Sequence, residues 1–218
     1  MTRITSHSVT TSPYKRDSNS PSTREIILSI NRFEGKKNIG LAIDAFVLVR
    51  RQNSNVMLVL AGGYDARVNE NVQVMKQLED QCLKCGLLAA MIGNETKDTD
   101  VIFVPSFSLP QRSWLLENSA CLVYTPSNEH FGIVPLEAML SGVPVVAVAS
   151  GGPIETIIDG KTGFLCQPNA SDFSAGILRV LDPKTRLRLG NAARIHVASR
   201  FSMDAFCDQL HAVLVRSN

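Results

Sequence analysis

Aromatic side chains are scarce in this chain of 218 residues, at 6% against 44% hydrophobic residues in total. An interior so poor in rings has to be aliphatic, the Val/Ile/Leu/Ala packing that buried parallel sheets use. Excess charge of one sign is also missing. The formal net charge is +2, which provides no broad field for nucleic acid or an anionic membrane, so any basic site must be local. Long apolar runs are absent as well. No window reaches the ~20 residues of a membrane span, and "VPVVAVAS" is short and bracketed by Gly and Pro. The N-terminus carries no apolar stretch of the secretory kind.

Cysteine supplies no framework. Five cysteines are an odd number, and the one C-x-x-C, Cys82 and Cys85, has no second pair to complete a zinc site. Both fall in a predicted helix with apolar neighbours and read as structural thiols in a reducing compartment. That compartment weighs against use of the glycosylation-type triplets at Asn94 and Asn169, which matter only in a lumenal or secreted protein.

What the chain does have is alternation. Residues 1–24, rich in Ser, Thr, Asn and basic residues, read as a disordered tail or linker remnant, and 25–218 as one domain. Apolar runs of strand length recur in "EIILSI", "VMLVLAGG", "DVIFVPS", "CLVYTPS", "PVVAVAS" and the short "GFLC". Helical spacing lies between them, as in "NIGLAIDAFVLVRRQ" and "NENVQVMKQLEDQCLKCG". From Ser171 onward the pattern is helical in three segments, broken near Asp182-Pro183 and Phe201-Ser202. The expectation is an α/β fold: a parallel sheet of about six strands, helices on both faces and a helical C-terminus. Right-handed crossovers put every strand C-terminus on one edge, where open sheets of this kind bind ligands.

The chemically suggestive residues follow those strand ends. Glu129 and Glu137 stand in "SNEHFGIVPLEAM". Each alone reads as a solvated carboxylate. Glu137, however, sits between Leu136 and Ala138 on a helix flanked by apolar strands, where an unpaired carboxylate is costly. A ligand diol, such as that of a ribose, would give it a partner. Arg32 and Lys37 in "NRFEGKKN" read as surface charge or, at the ligand edge, as a fork and a point charge for a diphosphate. Gly132, Ile133 and Val134 offer backbone amides at a helix start, with Gly132 allowing close approach. Gly62, Gly63, Gly151 and Gly152 read as well or better as tight-turn glycines. Asp98-Thr-Asp100 could hold a metal but precedes a strand, on the opposite edge, and is set aside. His130 has no nucleophile partner in the sequence and reads as a loop histidine.

The E-x7-E of Glu129 and Glu137, inside "FGIVPLEAM" and followed by "GGPIE" and "GKTGFL", resembles the retaining nucleotide-sugar glycosyltransferases of GT-B architecture, family four. "LSINRFEGKKN", "LAGGYDARVNENV" and "VYTPSNEHFGIVPLEAM" resemble in particular the α-1,3/1,6-mannosyltransferases of the dolichol-linked oligosaccharide pathway. The resemblance covers about residues 25–216 and implies a Rossmann-like donor-binding domain. By the same resemblance, Glu129 would lie beside the donor sugar and Glu137 on the ribose. Arg32 and Lys37, the second lysine of its pair, would hold the diphosphate. Phe131, Gly132 and Ile133 would offer amides to the sugar. The implied donor is GDP-mannose, with no metal or other cofactor. The implied acceptor is a lipid-linked (dolichyl diphosphate) oligosaccharide, at the cytosolic face of the endoplasmic reticulum. Such enzymes also have an N-terminal acceptor-binding domain, and the resemblance here covers only the donor-binding half. The expectation is a chain that binds GDP-mannose weakly and transfers mannose poorly without that domain or a partner protein. A non-catalytic nucleotide-sugar-binding module is the alternative. A nicotinamide-binding domain is set aside, because no G-x-G-x-x-G follows the first strand.

Overall fold

The structure, a computed structural model, describes residues 24–216. The expected tail, 1–24, lies outside the described residues except for Arg24.

One sheet of seven strands forms the middle layer: β1 (Glu25–Ile30), β2 (Val56–Gly62), β3 (Ala89–Met91), β4 (Val101–Pro105), β5 (Ser119–Tyr124), β6 (Val145–Val148) and β7 (Gly163–Cys166). Every pairing is parallel, in the order β3-β4-β2-β1-β5-β6-β7. The expected count of about six was one short. The extra strand is β3, three residues at the sheet edge that pair only with β4. Ala-Ala-Met is too short and too weak in β-branched residues to stand out as a strand, and its pairing with β4 creates it.

The helices are α1 (Gly40–Gln52), α2 (Asn69–Lys84), α3 (Leu109–Asn118), α4 (Ile133–Leu140), α5 (Gly152–Thr156), α6 (Ala170–Leu181), α7 (Pro183–Arg200) and α8 (Met203–Arg216). Their starts follow from local chemistry. Ser108 and Gln111 close a capping box on α3, Asn169 caps α6 through the Asp172 N–H at 2.9 Å, and Asp182 caps α7 through the Thr185 N–H at 2.8 Å. The breaks expected near Asp182-Pro183 and Phe201-Ser202 are the α6/α7 and α7/α8 junctions.

Strand β1 shows why both faces are covered. Ile27 points into one core with Phe46 and Val49 of α1 and Phe173 and Ile177 of α6. Ile26, Leu28 and Ile30 point into the other, with Leu115 of α3, Leu136 and Met139 of α4, and Ala193 and Val197 of α7. Successive side chains alternate between faces, so a strand with apolar residues on both faces needs a helical layer on each side.

The chain fills the sheet on one side of β1 first, with β2, then β4 and the edge strand β3, and then crosses to the other side with β5, β6 and β7 in turn. The crevice between the C-terminal ends of β1 and β5 is therefore the topological switch point, where loops diverge and leave room for a ligand.

Asp100 lies at the other edge, where it is 2% exposed, pairs with the Arg50 guanidinium at 2.8 Å and accepts the Leu88 N–H at 2.9 Å. It anchors the start of β4. Cys82 is buried on α2 and its thiol is pushed up to about 12 by burial, while Cys85 is exposed at the helix end; both are free.

Candidate functional site

The loop after β1 is pinned from below. Phe33 is fully buried and meets the Tyr64 ring edge-on at 6.0 Å. The chain then makes one 3-10 turn, Gly35–Lys37, closed by Asn38 in the left-handed region at φ 47°. From the loop after β5, the Thr125 hydroxyl donates to the Lys37 carbonyl at 2.7 Å. The backbone of Lys37 is thus tied to the neighbouring strand before its side chain is considered.

The Lys37 ammonium reaches across the crevice and donates to the Glu129 carboxylate. Neither side chain is far into solvent, at 16% and 24% exposed. The buried Tyr124 hydroxyl binds the same carboxylate. The hydrogen bond from Lys37 holds Glu129 below the usual carboxylate range, helped by the Lys37 charge and by Tyr124 and opposed by partial burial. Burial, together with the charge of Glu129, pushes the Tyr124 hydroxyl well above its ordinary value. Glu129 is therefore an anion at neutral pH, and Tyr124 a neutral donor.

The glycine turns serve this arrangement. Asn128 donates its N–H to the Ser150 hydroxyl at 2.9 Å, and Gly152 donates its N–H to the Glu129 carbonyl at 2.7 Å. A Cβ on Gly152 would overlap the Phe131 carbonyl, and one on Gly151, which stands at φ 60°, would overlap the Glu129 backbone. The loop after β6 thus lies backbone to backbone on the loop carrying Glu129, which side chains would prevent.

Arg32, Glu34, Lys36, Lys37, Tyr124, Glu129 and Val134, with Ile30 and Asn31, line a hollow of about 340 Å³ at the switch point. Glu34 collects two of its cations: the Arg32 guanidinium lies at 3.6 Å and the Lys36 ammonium at 3.2 Å. Both cations are about three-quarters exposed, so their donors remain open to an anion in the hollow. A larger hollow, of about 530 Å³, lies away from this edge, around the paired Arg50 and Asp100.

Helix α4 starts at the rim of the hollow. Gly132 precedes it at φ 81° and makes no side-chain cap, so the first-turn amides of α4 are left for other acceptors. Val134 lines the hollow. Ile133 is 64% exposed, and Phe131 meets Phe201 edge-on at 6.2 Å. Gly62 and Gly63 lie one loop away. A Cβ on Gly62 would overlap the Asn31 carbonyl, and one on Gly63 would touch the Arg32 stem at 3.4 Å. Their positions shape the Asn31–Arg32 backbone without lining the hollow.

Glu137 departs from its expected state. It lies one turn beyond Val134 on α4 and already has a protein partner, the Arg112 guanidinium of α3. The sequence reading took a ligand hydroxyl as the carboxylate's partner and missed Arg112. Tyr124, Thr125 and Glu34 were missed too. Arg112 carried one signal, its position next to the Ser108–Gln111 capping box at a strand end. His130 is exposed, and among the described residues no three His, Cys, Asp or Glu side chains cluster to hold a metal.

The E-x7-E carboxylates and two cations thus follow strands that meet at one switch point. A family model described as "Glycosyl transferases group 1" matches residues 11–196. The chain belongs to that glycosyltransferase family. Curated relatives of this glycosyltransferase chain include Alpha-1,3/1,6-mannosyltransferase ALG2 of Mus musculus and of Homo sapiens. Each is 41% identical over 211 residues, covering 94% of this chain and 48% of the relative. The protein of the same name from Dictyostelium discoideum is 40% identical over 201 residues, 88% of this chain and 46% of the relative. The chain spans about half the length of the curated relatives it matches.

Among solved structures, sucrose-phosphate synthase from Thermosynechococcus elongatus superposes with a TM-score of 0.72 at 27% identity, over 92% of this chain and 48% of that one. The C-terminal domain of a glycosyl transferase group 1 family protein (LpcC) from Francisella tularensis superposes with a TM-score of 0.67 at 20% identity, over 86% of this chain and 90% of that one. The glycosyltransferase chain thus has the Rossmann-like α/β domain fold of GT-B enzymes. No helix among its described residues is long and apolar enough to cross a membrane.

Proposed function

We propose that this glycosyltransferase domain binds GDP-mannose and supplies the donor side of mannosyl transfer to a lipid-linked oligosaccharide on the dolichyl diphosphate carrier. The observation that carries the reading is the convergence of Arg32, Lys37 and Glu129 on one hollow at the switch point. The mannosyltransferase names of relatives about 40% identical favour mannose, and so GDP-mannose, among nucleotide sugars.

In this reading the diphosphate lies in the hollow, with the Arg32 fork and the Lys37 ammonium on its oxygens and the first-turn amides of α4 beside it. Phe131, Gly132 and Ile133 present backbone amides to the sugar. Glu129 lies at the sugar, and Glu137 accepts from the ribose diol. Transfer builds positive charge on the sugar and negative charge on the departing phosphate. The cations and the helix start are aimed at that negative charge without a metal, and each such contact is worth about 2–4 kcal/mol in the transition state. An acceptor hydroxyl attacks the anomeric carbon on the face from which GDP departs, so that the new glycosidic C–O bond replaces the bond to the diphosphate with retention of configuration, and the departing phosphate oxygen takes the acceptor proton. Glu129 has no role as covalent nucleophile. The acceptor is held by an N-terminal acceptor-binding domain or by a partner protein, and the reaction takes place on the cytosolic face of the endoplasmic reticulum membrane. Gly62 and Gly63 act by shaping the Arg32 loop.

Titration calorimetry with GDP-mannose, GDP and UDP-glucose tests the donor. Tighter binding of the guanosine ligands, weakened about 30-fold or more by Lys37→Ala, is expected. Equal binding of the uridine ligand, or indifference to Lys37→Ala, overturns the reading.

A further inference from the structure

The contact between Arg112 and Glu137 has an asymmetry that neither helix needs for packing. Arg112 uses one terminal nitrogen, Nη2, on one carboxylate oxygen, Oε2. Its Nε is buried and has no hydrogen-bond partner among the described residues. Guanidinium and carboxylate commonly pair through two parallel bonds, which would engage both oxygens. Here the second oxygen, Oε1, makes no hydrogen bond among the described residues.

The backbone that carries Arg112 is held in place. Ser108 and Gln111 exchange both bonds of a capping box, and the Arg112 N–H donates to the Ser108 carbonyl at 2.9 Å. The first turn of α3 is therefore a rigid mount. Glu137 stands on α4, three residues and about 4.5 Å along the axis from Val134, which lines the diphosphate hollow. The two side chains are 25% and 31% exposed, so the pair is open to solvent and not in the core.

We propose that Arg112 is a positioning residue for nucleoside recognition: it holds the Glu137 carboxylate by one oxygen, so that the other faces a vicinal diol next to the diphosphate hollow. The inference rests on the donor-site reading above. A carboxylate alone on a helix surface rotates among rotamers and meets a diol only part of the time. One fixed oxygen removes that freedom. Arg112 touches no ligand in this arrangement and acts through Glu137.

The test uses the whole chain and two probes, GDP and 2′,3′-dideoxy-GDP. The parent protein is expected to prefer GDP by about 10-fold or more, the usual value of hydrogen bonds to a charged acceptor. Arg112→Ala is expected to bring that preference to within about 2-fold, as Glu137→Gln does, while binding of the dideoxy probe changes little. Arg112→Lys, which keeps the charge without the planar fork, is expected to restore part of the preference, and it decides the question if Arg112→Ala does not fold. A purely structural link between α3 and α4 would lower the melting temperature and leave the preference intact, which overturns the proposal. Equal losses for both probes, the sign of direct contact with phosphate or base, overturn it too. A parent protein that binds neither probe brings down the donor reading itself, and a parent that binds both equally removes the role of Glu137. These two failures are distinguishable from a failure of Arg112 alone.

Discussion

Lys37 and Glu129, 92 positions apart in the chain, meet as an ion pair across the gap between the ends of β1 and β5. The pair joins the two halves of the sheet at its switch point. Its strength is visible in the lowered affinity of Glu129 for a proton, of which the Lys37 hydrogen bond is the largest cause. A group whose folded value lies below its unfolded value stabilises the fold above the unfolded value, 4.5 here, and loses that contribution as pH falls through the folded value. Lys37→Met is therefore expected to raise the Glu129 titration midpoint toward 4.5 and to flatten the dependence of melting temperature on pH below about 5. Carboxyl-carbon NMR titration and thermal melts measure both. An unchanged midpoint would show that the ammonium does not hold Glu129 in solution.

Tyr124→Phe removes the second donor to Glu129. Tyr124 ranks behind Lys37 among the causes of the shift, so Glu129 should rise in the same direction but by less. The lost bond to a charged acceptor should cost about 1–2 kcal/mol of stability. Denaturant unfolding of the variant at pH 7 measures the cost, and the same NMR titration ranks the two donors.

Gly152 and Gly160 make a matched pair. Gly152 faces the Phe131 carbonyl, while nothing lies within 4 Å of a Cβ on Gly160. Gly152→Ala must push the Glu129–Phe131 loop away. It is expected to cost about 1–3 kcal/mol and to weaken GDP binding strongly. Gly160→Ala bears only the strain of its φ of 69°, about 1–2 kcal/mol, and should leave GDP binding as it was. Melts and calorimetry on both variants separate loop displacement from simple backbone strain.

The five thiols should divide by burial. Cys85 and Cys207 are exposed, whereas burial raises Cys82 and Cys121 to about 12 and Cys166 to about 11. A thiol reagent at pH 7.5 is expected to consume about two equivalents quickly from the folded protein and the remaining three only on unfolding. Fast reaction of all five would mean that the cores open far more readily than their packing indicates.

The layers of the fold were legible because their causes are local. Runs such as Ile26–Leu28 and Val145–Val148 are apolar at every position, which requires cover on both faces, and Ser108, Asn169 and Asp182 mark helix starts by chemistry within a single turn. Arg32, Lys37 and Glu129 were legible as a group because each follows a strand, and strand ends share an edge whatever the strand order. Strand β3 was not legible, since its three residues become a strand only by lying against β4. Arg112 was read as part of a short helix, and nothing in the segment from Pro110 to Ser119 shows that it faces Glu137.

What the sequence alone determined, then, is the kind of sheet, the helices that cover it and the edge at which Arg32, Lys37 and Glu129 gather. These follow from side-chain period and backbone preference over a few neighbouring residues. Only the tertiary structure decided which residues meet at that edge: Lys37 and Tyr124 with Glu129, and Arg112 with Glu137. Backbone hydrogen bonds between strands are the same whatever the side chains, so strand order is set by packing of the whole chain. That order, with β5 beside β1, brings distant residues into contact.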